Sequence, residues 1–506
     1  MTLHTTLDTD TTDTATTDTD VPEWKMLIGG EWVEAVDGAW TDVTCPSRAN
    51  VVLARVPDGK AADIDRAVQA AGAAQPAWAG AHFKERQNAL LKIADAIEAQ
   101  GEDFSRLTAQ DTGNAIRTQA RPETATLVSL FRYFGGIAGE FKGTTLPAGD
   151  DQLQYTRLQP LGVVGAILPW NSPLMIAGMK IPAALATGNA LVVKPAEDAP
   201  LTILKLAEVC SEFLPAGVLN VVTGDGETAG EAISTHPGIA KVSFTGSTSV
   251  GKHVAETAGA RLAHVSLELG GKSPNIIFPS AATPERIEQT AEGALLAMRF
   301  TRQGQSCTAG SRLFVHEDVF DEFLDVLAAK VQALKVGDPL DDETDMGSII
   351  NESQYCQVRD YVDEGKKQDG VKVVLDGSDY TPEGLQGFYQ GPTILANVDN
   401  SWRIAREEVF GPVLVAIPWR DVDDVITQAN DSTYGLAAFV WSQQLDEAIE
   451  TAQRIDSGWV QVNQGGGQVI GQSYGGFKES GIGREFSLEG AIESFTQTKQ
   501  INVKLG

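Results

Sequence analysis

Two short segments of this 506-residue chain hold the residue types that covalent catalysis requires. A lone carboxylate, Glu268, lies within residues 267–272 (LELGGK), and a lone thiol, Cys307, lies within residues 304–310 (GQSCTAG). A cysteine reacts as its thiolate in a polar, accessible setting and needs a neighbouring group that handles protons. Glu268 stands between apolar residues, which predicts a buried carboxyl with a raised pKa, as suits a general base near neutrality. If the two segments meet in the fold, we expect the chain to form a thioester and then to break it.

Each of these residues has a simpler interpretation when it is taken alone. Cysteines are more often buried structural residues than nucleophiles, and a single glutamate is more often a surface charge. Asn171, in the sequence Pro-Trp-Asn-Ser-Pro at a predicted strand end, is a third candidate. A carboxamide there could donate a hydrogen bond to a developing oxyanion, together with a backbone N–H. A plain asparagine turn is the alternative for Asn171.

Three segments have features of nucleotide binding. Residues 245–251 (TGSTSVG) follow a predicted strand and precede a predicted helix, where glycines and a helix N-terminus favour a pyrophosphate, although the G-x-G-x-x-G fingerprint is absent. Residues 224–230 are a weaker candidate, because two acidic side chains there disfavour a phosphate. In residues 194–197 (KPAE), Glu197 could accept hydrogen bonds from ribose hydroxyls and would disfavour a 2′-phosphate. The alternatives are an ordinary capped helix start and a loop charge pair.

The overall composition argues against several classes of function. A formal net charge of -29 disfavours nucleic acid as a partner, because phosphate binding requires a surplus of Lys and Arg. The four cysteines and six histidines lack the spacing of a disulfide framework or a metal site, so we expect no metal. No apolar run reaches the roughly 18 residues of a membrane span, and no signal peptide is visible. We therefore expect no membrane partner and a cytoplasmic location.

The order of elements along the chain predicts an α/β protein. The Thr/Asp-rich residues 1–21 are predicted to be a disordered tail, because they have almost no apolar content. Helical periodicity runs through residues 61–100, and residues 161–278 alternate apolar strands with helices, as in a parallel sheet. Residues 281–470 continue the α/β rhythm less regularly. A polar hairpin in residues 143–160 and a terminal strand at residues 497–505 suit pairing between subunits.

Six motifs, taken together and in order, are far more specific than any one of them. The motifs P-W-N-x-P, K-P-A-E, F-T-G-S-x-x-x-G, L-E-L-G-G-K-x-P, G-Q-x-C and E-x-F-G-P resemble those of the NAD(P)-dependent aldehyde dehydrogenase superfamily, in its hydrolytic, non-acylating branch. The resemblance extends over about residues 24–505. It implies an aldehyde dehydrogenase fold with a Rossmann-like NAD-binding domain (residues 22–142 and 161–269), an α/β catalytic domain (270–477) and a small β oligomerisation element (143–160 and 488–506).

The same resemblance implies roles for individual residues. Cys307 matches the nucleophile, Glu268 the general base, and Asn171, with the backbone N–H of Cys307, the oxyanion hole. Lys180 matches a lysine close to the active site and the cofactor. The residues that match cofactor contacts are Trp170, Lys194, Glu197, Gly226, Gly246, Ser247, Leu269, Glu408 and Phe410.

The reaction that the resemblance implies is oxidation of an aldehyde to a carboxylic acid with NAD, through a thiohemiacetal and a thioester on Cys307 that Glu268-activated water hydrolyses. NADP is a possible secondary cofactor, and a dimer or tetramer is expected. Ser172 stands where many members have an aromatic residue, Met179 where tryptophan is common, and Arg302 precedes the G-Q-x-C segment. A less aromatic pocket would admit bulkier or more polar aldehydes, whether aliphatic, terpenoid or aromatic. Two alternatives stay open: a CoA-acylating dehydrogenase, against which Glu268 argues, and a catalytically silent structural protein of the same fold.

Overall fold

The computed structural model describes residues 21–505. The predicted tail, residues 1–21, lies outside the described residues except for Val21. Within the described part, the α-helices are Ala61–Gly80, Phe83–Ala99, Gly101–Thr112, Arg121–Gly136, Pro173–Ala186, Leu201–Ser211, Glu231–Thr235, Thr248–Ala260, Ile287–Met298, Phe320–Gln332, Glu352–Gly365, Arg403–Arg406, Val422–Asn430, Leu445–Arg454 and Leu488–Phe495.

An eight-stranded sheet forms the first layer of the described structure. Its five central strands are parallel and fully or mostly buried, as expected when helices cover both faces of a parallel sheet, and two of them, Val163–Ile167 and Ala190–Lys194, are almost entirely apolar. The strand at each edge is antiparallel to its neighbour. In spatial order the strands are Glu31–Val33, Met26–Ile28, Leu219–Val221, Ala190–Lys194, Val163–Ile167, Lys241–Thr245, His264–Glu268 and Gly481–Ile482.

The strand order of this sheet contains a switch point. From Val163–Ile167 the chain moves outward through Ala190–Lys194 to Leu219–Val221, and then returns to the other side of Val163–Ile167 with Lys241–Thr245. Open α/β sheets bind ligands in the crevice outside the carboxyl ends of their strands at such a point. The two segments that leave this point are residues 168–172 and 246–248.

A seven-stranded sheet forms the second layer, and residues 269–273 connect it directly to the first. All its strands are parallel except the first, which is antiparallel to the second. In spatial order the strands are Lys372–Leu375, Thr393–Ala396, Val413–Trp419, Arg312–His316, Pro274–Ile277, Ala437–Trp441 and Trp459–Val462. The α/β class predicted from the sequence is confirmed, whereas the exact domain boundaries stay a prediction.

A three-stranded antiparallel sheet consists of Thr496–Lys504, Gln152–Pro160 and Thr145–Leu146. The hairpin and the terminal strand predicted from the sequence therefore pair with each other in one protomer. Its residues are largely exposed, including the apolar side chains of Leu146, Leu153 and Val503. Two-stranded sheets are formed by Trp40–Cys45 with Arg48–Pro57 and by Tyr434–Gly435 with Phe477–Lys478.

Candidate active site

A cavity of about 820 Å³ lies at the carboxyl edge of the eight-stranded sheet, beside its switch point. It is bordered by segments that follow three adjacent strands, Val163–Ile167, Lys241–Thr245 and His264–Glu268. Nine of the residues predicted for the site line it: Trp170, Asn171, Gly246, Ser247, Glu268, Leu269, Cys307, Glu408 and Phe410. Lys180, Lys194, Glu197 and Gly226 are not among the lining residues.

The predicted nucleophile and base meet in this cavity. The Cys307 thiol donates a hydrogen bond to Glu268 Oε1, with a distance of 3.6 Å between Sγ and the oxygen. Glu268 is the last residue of its strand and is 5% exposed, so bulk water does not compete for its carboxyl group. The Tyr474 hydroxyl lies 3.7 Å from Cys307 Sγ. Residues 267–272 and residues 304–310 are thus in direct contact.

Two glycines after Glu268 make this contact sterically possible. A Cβ atom on Gly271 would lie 2.1 Å from the Cys307 carbonyl oxygen, and one on Gly270 would lie 2.5 Å from Glu408 Oε2. The backbone N–H of Gly271 also donates to Glu408 Oε1 at 2.9 Å. The absence of side chains at Gly270 and Gly271 therefore lets this segment pack against Cys307 on one side and against the Glu408 carboxylate on the other.

Burial sets the protonation of the pair. It raises the pKa of the Cys307 thiol well above its ordinary value, and the neighbouring Glu268 carboxylate raises it further, while the Tyr474 hydroxyl opposes the shift. Burial also raises the pKa of Glu268, with a further contribution from the Glu485 carboxylate and opposition from Lys180. The free site therefore holds a neutral thiol beside a carboxyl group with increased proton affinity. The raised pKa of Glu268 favours its acceptance of a proton, whereas the raised pKa of Cys307 opposes release of one.

Asn171 is fixed to the segment of the nucleophile. Its Nδ2 donates to the Gln305 carbonyl at 2.9 Å, and its own carbonyl accepts from Asn114 Nδ2 at 3.1 Å. Because Nδ2 carries two hydrogens, one N–H remains for an oxygen in the cavity. The Gln305 carbonyl thereby orients the side-chain amide that is predicted to hold an oxyanion, while the Asn114 contact holds the backbone carbonyl of Asn171.

Lys180 lies behind the base. It is fully buried, and its Nζ donates to Glu485 Oε1 at 2.8 Å and to Ser243 Oγ at 2.9 Å. Burial alone would raise the pKa of Glu485, but Lys180, Lys241 and Ser243 outweigh it and hold that pKa below its ordinary value. Lys180 therefore acts on Glu268 through its charge and through Glu485.

The segment after Lys241–Thr245 suits a phosphate group. Ser247 caps the 13-residue helix Thr248–Ala260 by accepting from the Val250 N–H, and no acidic residue occupies the first turn of that helix. A helix N-terminus of this kind carries a partial positive charge and exposed N–H groups. Gly246 has little space for a side chain, since a Cβ atom there would lie 2.5 Å from the Phe244 ring.

Glu408 and two aromatic rings complete this side of the cavity. Burial raises the pKa of Glu408 to about 7, opposed by the Gly271 N–H and Lys272. The rings of Trp170 and Phe410 meet edge to face with centroids 5.3 Å apart. The Glu408 carboxylate can accept hydrogen bonds from ribose hydroxyls, and the two aromatic rings can pack against a planar ring. The residues present therefore fit a dinucleotide.

The three remaining cofactor candidates lie outside the cavity wall. Lys194 ends the strand Ala190–Lys194, is buried, and donates from Nζ to Glu197 Oε2 at 3.1 Å. The Glu197 side chain is half exposed, at the same sheet edge as the cavity. Gly226 is exposed, and a Cβ atom there would meet nothing within 4 Å. Their roles with a cofactor stay predictions.

The part of the cavity without cofactor candidates has both apolar side chains, such as Met175 and Leu296, and polar ones. Ser172 and Arg302, two of the three positions at which the sequence departs from the motifs it resembles, both border this part of the cavity. The Ser172 hydroxyl accepts a hydrogen bond from Arg302. Met179, in contrast, is 1% exposed and does not line it. The expectation that Met179 widens the pocket mouth is not supported, because its helix turns that side chain into the core.

Tyr474 and Glu485 contact the site but are not predicted from its motifs. Tyr474 stands in a glycine-rich stretch whose course the sequence does not give. For Glu485 a partial signal exists: Lys180 lies within the apolar helix Pro173–Ala186, and a buried ammonium group requires an acidic partner. The sequence thus indicates that a partner exists without showing which residue it is.

These features describe an α/β protein in which a thiol and a buried carboxyl group meet in a cavity that fits a dinucleotide. A model of the Aldehyde dehydrogenase family matches residues 32–501. The chain is 39% identical over 481 residues to hydroxyisobutyraldehyde dehydrogenase of Mycolicibacterium austroafricanum, covering 95% of this chain and 94% of the relative. It is 40% identical over 487 residues to phenylacetaldehyde dehydrogenase of Pseudomonas fluorescens, covering 94% and 95%.

Solved structures give the same result. The NAD+ complex of aldehyde dehydrogenase from Bacillus cereus superposes with a TM-score of 0.91 at 38% identity, covering 96% of this chain and 97% of that one. The chain belongs to the aldehyde dehydrogenase family, and NAD is its cofactor. Among residues 21–505, no cluster of His, Cys, Asp and Glu side chains could hold a metal ion. In the same range, no helix has the length and apolar character needed to cross a bilayer.

Proposed function

We propose that this enzyme oxidises an aldehyde to a carboxylic acid through a thioester on Cys307 that water, activated by Glu268, hydrolyses. The observation that carries the proposal is the 3.6 Å contact between Cys307 Sγ and Glu268 Oε1 in a cavity that also contains Asn171. A thiol within reach of a base and an amide donor is the arrangement that acyl chemistry on cysteine requires.

The first step removes the thiol proton. Cys307 transfers it to Glu268, and the thiolate attacks the aldehyde carbon to form a carbon–sulfur bond, giving a thiohemiacetal. The carbonyl oxygen becomes an oxyanion, which the second N–H of Asn171 and the backbone N–H of Cys307 stabilise. Amide donors that are already oriented before reaction stabilise such charge most effectively.

The oxidation step depends on NAD held by Ser247, Glu408 and the rings of Trp170 and Phe410. When NAD is bound there, it supplies the acceptor for the hydride that leaves the thiohemiacetal carbon, and a thioester remains on Cys307. Glu408 is oriented for ribose hydroxyls by the Gly271 N–H. Glu197 supports a preference for NAD over NADP, because a carboxylate disfavours a 2′-phosphate.

Glu268 completes the reaction. After its first proton has left to solvent, its carboxylate takes a proton from water, and the hydroxide attacks the thioester carbon. The carbon–sulfur bond breaks, Cys307 leaves as a thiolate, and the acid is released. The sum is an aldehyde, NAD+ and water giving a carboxylate, NADH and two protons.

A single-turnover experiment tests this division of roles. With Glu268→Gln, both NADH formation in the first turnover and steady turnover should slow, the latter by at least about 10²-fold, because the same carboxylate takes the thiol proton and activates the hydrolytic water. The enzyme should release free acid without CoA. Acid release that requires CoA would instead support the acylating alternative.

We also propose a broad or bulky aldehyde as substrate, a cytoplasmic location, a homo-oligomer and the domain boundaries implied by the resemblance. The two named relatives act on a branched hydroxyaldehyde and on an aromatic aldehyde, which supports breadth. The exposed three-stranded sheet, with Leu146 and Leu153 on its surface, supports pairing between subunits. Light scattering of the purified protein measures whether that assembly is a dimer or a tetramer.

A further inference from the structure

Part of the cavity wall has no role in the proposed chemistry. Besides the residues assigned to the reaction and to NAD, the cavity is bordered by apolar side chains, among them Met175, Leu296 and Phe486, and by a polar group that we call the substrate arm: Gln119, Glu123, Ser172, Arg299, Thr301 and Arg302. It contains two guanidinium groups in a chain whose formal net charge is -29. An arm built only for an apolar aldehyde tail would not need a cation.

Arg302 is held in place by neutral partners. Its Nε donates to Gln119 Oε1 at 2.8 Å, and its Nη1 donates to the Ser172 hydroxyl. Gln119 is itself fixed, because its Nε2 donates to Thr301 Oγ1 at 2.8 Å. Within residues 21–505, Arg302 Nη2 has no hydrogen-bond acceptor and the guanidinium has no carboxylate partner. Two of the three nitrogens orient the group, and the third is left for a ligand.

Arg299 has a different role in the same wall. Its Nη1 donates to the Gly465 carbonyl at 2.9 Å and its Nη2 to the Gly466 carbonyl at 2.7 Å. Both terminal nitrogens are therefore engaged by a glycine loop that also borders the cavity. These partners are neutral too, so the positive charge of Arg299 adds to that of Arg302.

Glu123 is the acidic member of the substrate arm, and it does not pair with Arg302. Its Oε1 accepts from the Leu174 N–H at 2.8 Å and the Met175 N–H at 3.1 Å, which caps the helix Pro173–Ala186. Burial raises the pKa of Glu123, with the Arg302 charge opposing the shift. Oε1 is thus committed to a helix N-terminus, whereas Oε2 is buried without a hydrogen-bond partner in the described part of the chain. The two guanidinium groups of the substrate arm outnumber its single carboxyl group, which leaves a surplus of positive charge.

We propose that the aldehyde substrate carries a carboxylate at its far end and that Arg302 Nη2 binds this group, which makes Arg302 a specificity-determining residue. The inference rests on the proposed function and specifies its substrate class. A guanidinium whose orientation is fixed before binding loses little entropy when it pairs with a carboxylate, and charge-assisted bonds of this kind are stronger than neutral ones. Ser172 contributes because an aromatic side chain there would remove the hydroxyl that accepts from Arg302.

The test compares aldehydes that differ only in charge. The probes are 4-oxobutanoate against 4-methylpentanal, 5-oxopentanoate against 5-methylhexanal and 6-oxohexanoate against 6-methylheptanal, in which an isopropyl group replaces the carboxylate. The measured quantity is the ratio of kcat/KM for the anionic aldehyde to that for its neutral counterpart, from NADH formation. We expect a ratio of at least about 10 for one pair in the unmodified enzyme, with most of the effect in KM.

Variants separate the charge of Arg302 from its packing. Arg302→Gln should lower the ratio by about 10- to 100-fold, and Arg302→Lys, which keeps the charge, should lower it less. Arg286→Gln makes the same change of net charge at an exposed position whose contact is Gln289 Oε1, and it should leave the ratio unchanged. The use of a ratio cancels any general loss of activity that a disturbed Ser172 contact causes.

Several results would overturn the inference. These are a ratio near 1 for every pair, an equal loss with Arg302→Lys and Arg302→Gln, and a neutral hydroxylated aldehyde such as 3-hydroxybutanal that is used as well as the best anionic one. Oxidation of the neutral aldehydes without a preference for the anionic ones refutes this inference alone. If no aldehyde gives NADH, the proposed function itself fails.

Discussion

The buried pair of Lys180 and Glu485 allows the cost of an unpaired charge at the active site to be worked out. Lys180→Met keeps most of the apolar stem and removes the ammonium group. The Glu485 carboxyl, at 7% exposure, then keeps hydroxyl contacts to Ser243 and Ser266 at 3.3 and 3.4 Å. An ionised carboxylate left in this state costs about 3–5 kcal/mol of stability, unless it takes up a proton instead.

Protonation sets an upper limit on that cost, and the limit depends on pH. With an unfolded-state pKa of about 4.3, protonating Glu485 costs about 4.4 kcal/mol at pH 7.5 and about 1.6 kcal/mol at pH 5.5. In the unmodified protein the pKa of Glu485 is below its ordinary value, so its stabilisation is present above pH 4.3 and is lost as the pH falls through the folded-state pKa. In the variant the pKa is raised, so stability is lost as the pH rises above 4.3.

Urea unfolding at pH 5.5 and 7.5 measures this difference. The destabilisation by Lys180→Met should be greater at pH 7.5 by up to about 2.7 kcal/mol, reduced to the extent that Lys241 supplies a replacement charge. The double variant Lys180→Met/Glu485→Gln leaves no unpaired carboxylate, so its free energy of unfolding should differ from that of the unmodified protein by a similar amount at both pH values. An equal destabilisation by the single variant at both pH values, or a double variant as pH-dependent as the single one, would refute the reasoning.

Three further changes probe the cavity. Gly271→Ala should lower kcat by at least about 10²-fold, because its Cβ would lie 2.1 Å from the Cys307 carbonyl oxygen. Gly259→Ala is the control and should leave kcat unchanged, because a Cβ there meets nothing within 4 Å. Equal kcat values for the two variants would exclude the steric argument. Asn171→Ala should lower kcat by about 10²–10³-fold in steady-state assays while the KM for NAD changes little, and a loss confined to KM would contradict its role at the oxyanion. The KM for NAD should rise as the pH falls below about 7, where Glu408 becomes protonated, and Glu408→Gln should remove this dependence. A KM for NAD that stays constant from pH 6 to 8 in the unmodified enzyme would count against Glu408 as a ribose ligand.

Much of the scaffold could be predicted because its signals are local. The strands Val163–Ile167 and Ala190–Lys194 are buried along their whole length, so each appears in the sequence as an apolar run, apart from Lys194 at the end of the second strand. The helical pattern over residues 61–100 forms Ala61–Gly80 and Phe83–Ala99, which are separated by two residues with extended backbone.

The contacts that complete the site could not be predicted, because they join distant parts of the chain. Tyr474 reaches Cys307 across 167 residues, and Glu485 reaches Lys180 across 305. Neither spacing leaves a periodic pattern in the sequence. The placement of Met179 was wrong for a related reason, since the rotation of its helix decides which side chains border the cavity, and that rotation depends on packing against the sheet.

Residues 269–273 give the site a mechanical property. They join the two large sheets directly, with the base at one end of the link and the backbone of the nucleophile packed against Gly271 in its middle. Sliding of one sheet past the other would displace this link and change the distance between the Glu268 carboxyl group and the Cys307 thiol. Because the contact between Glu268 and Cys307 lies at the connection between the two sheets, we expect the rate of the proposed acyl transfer to depend on how firmly the sheets are held together.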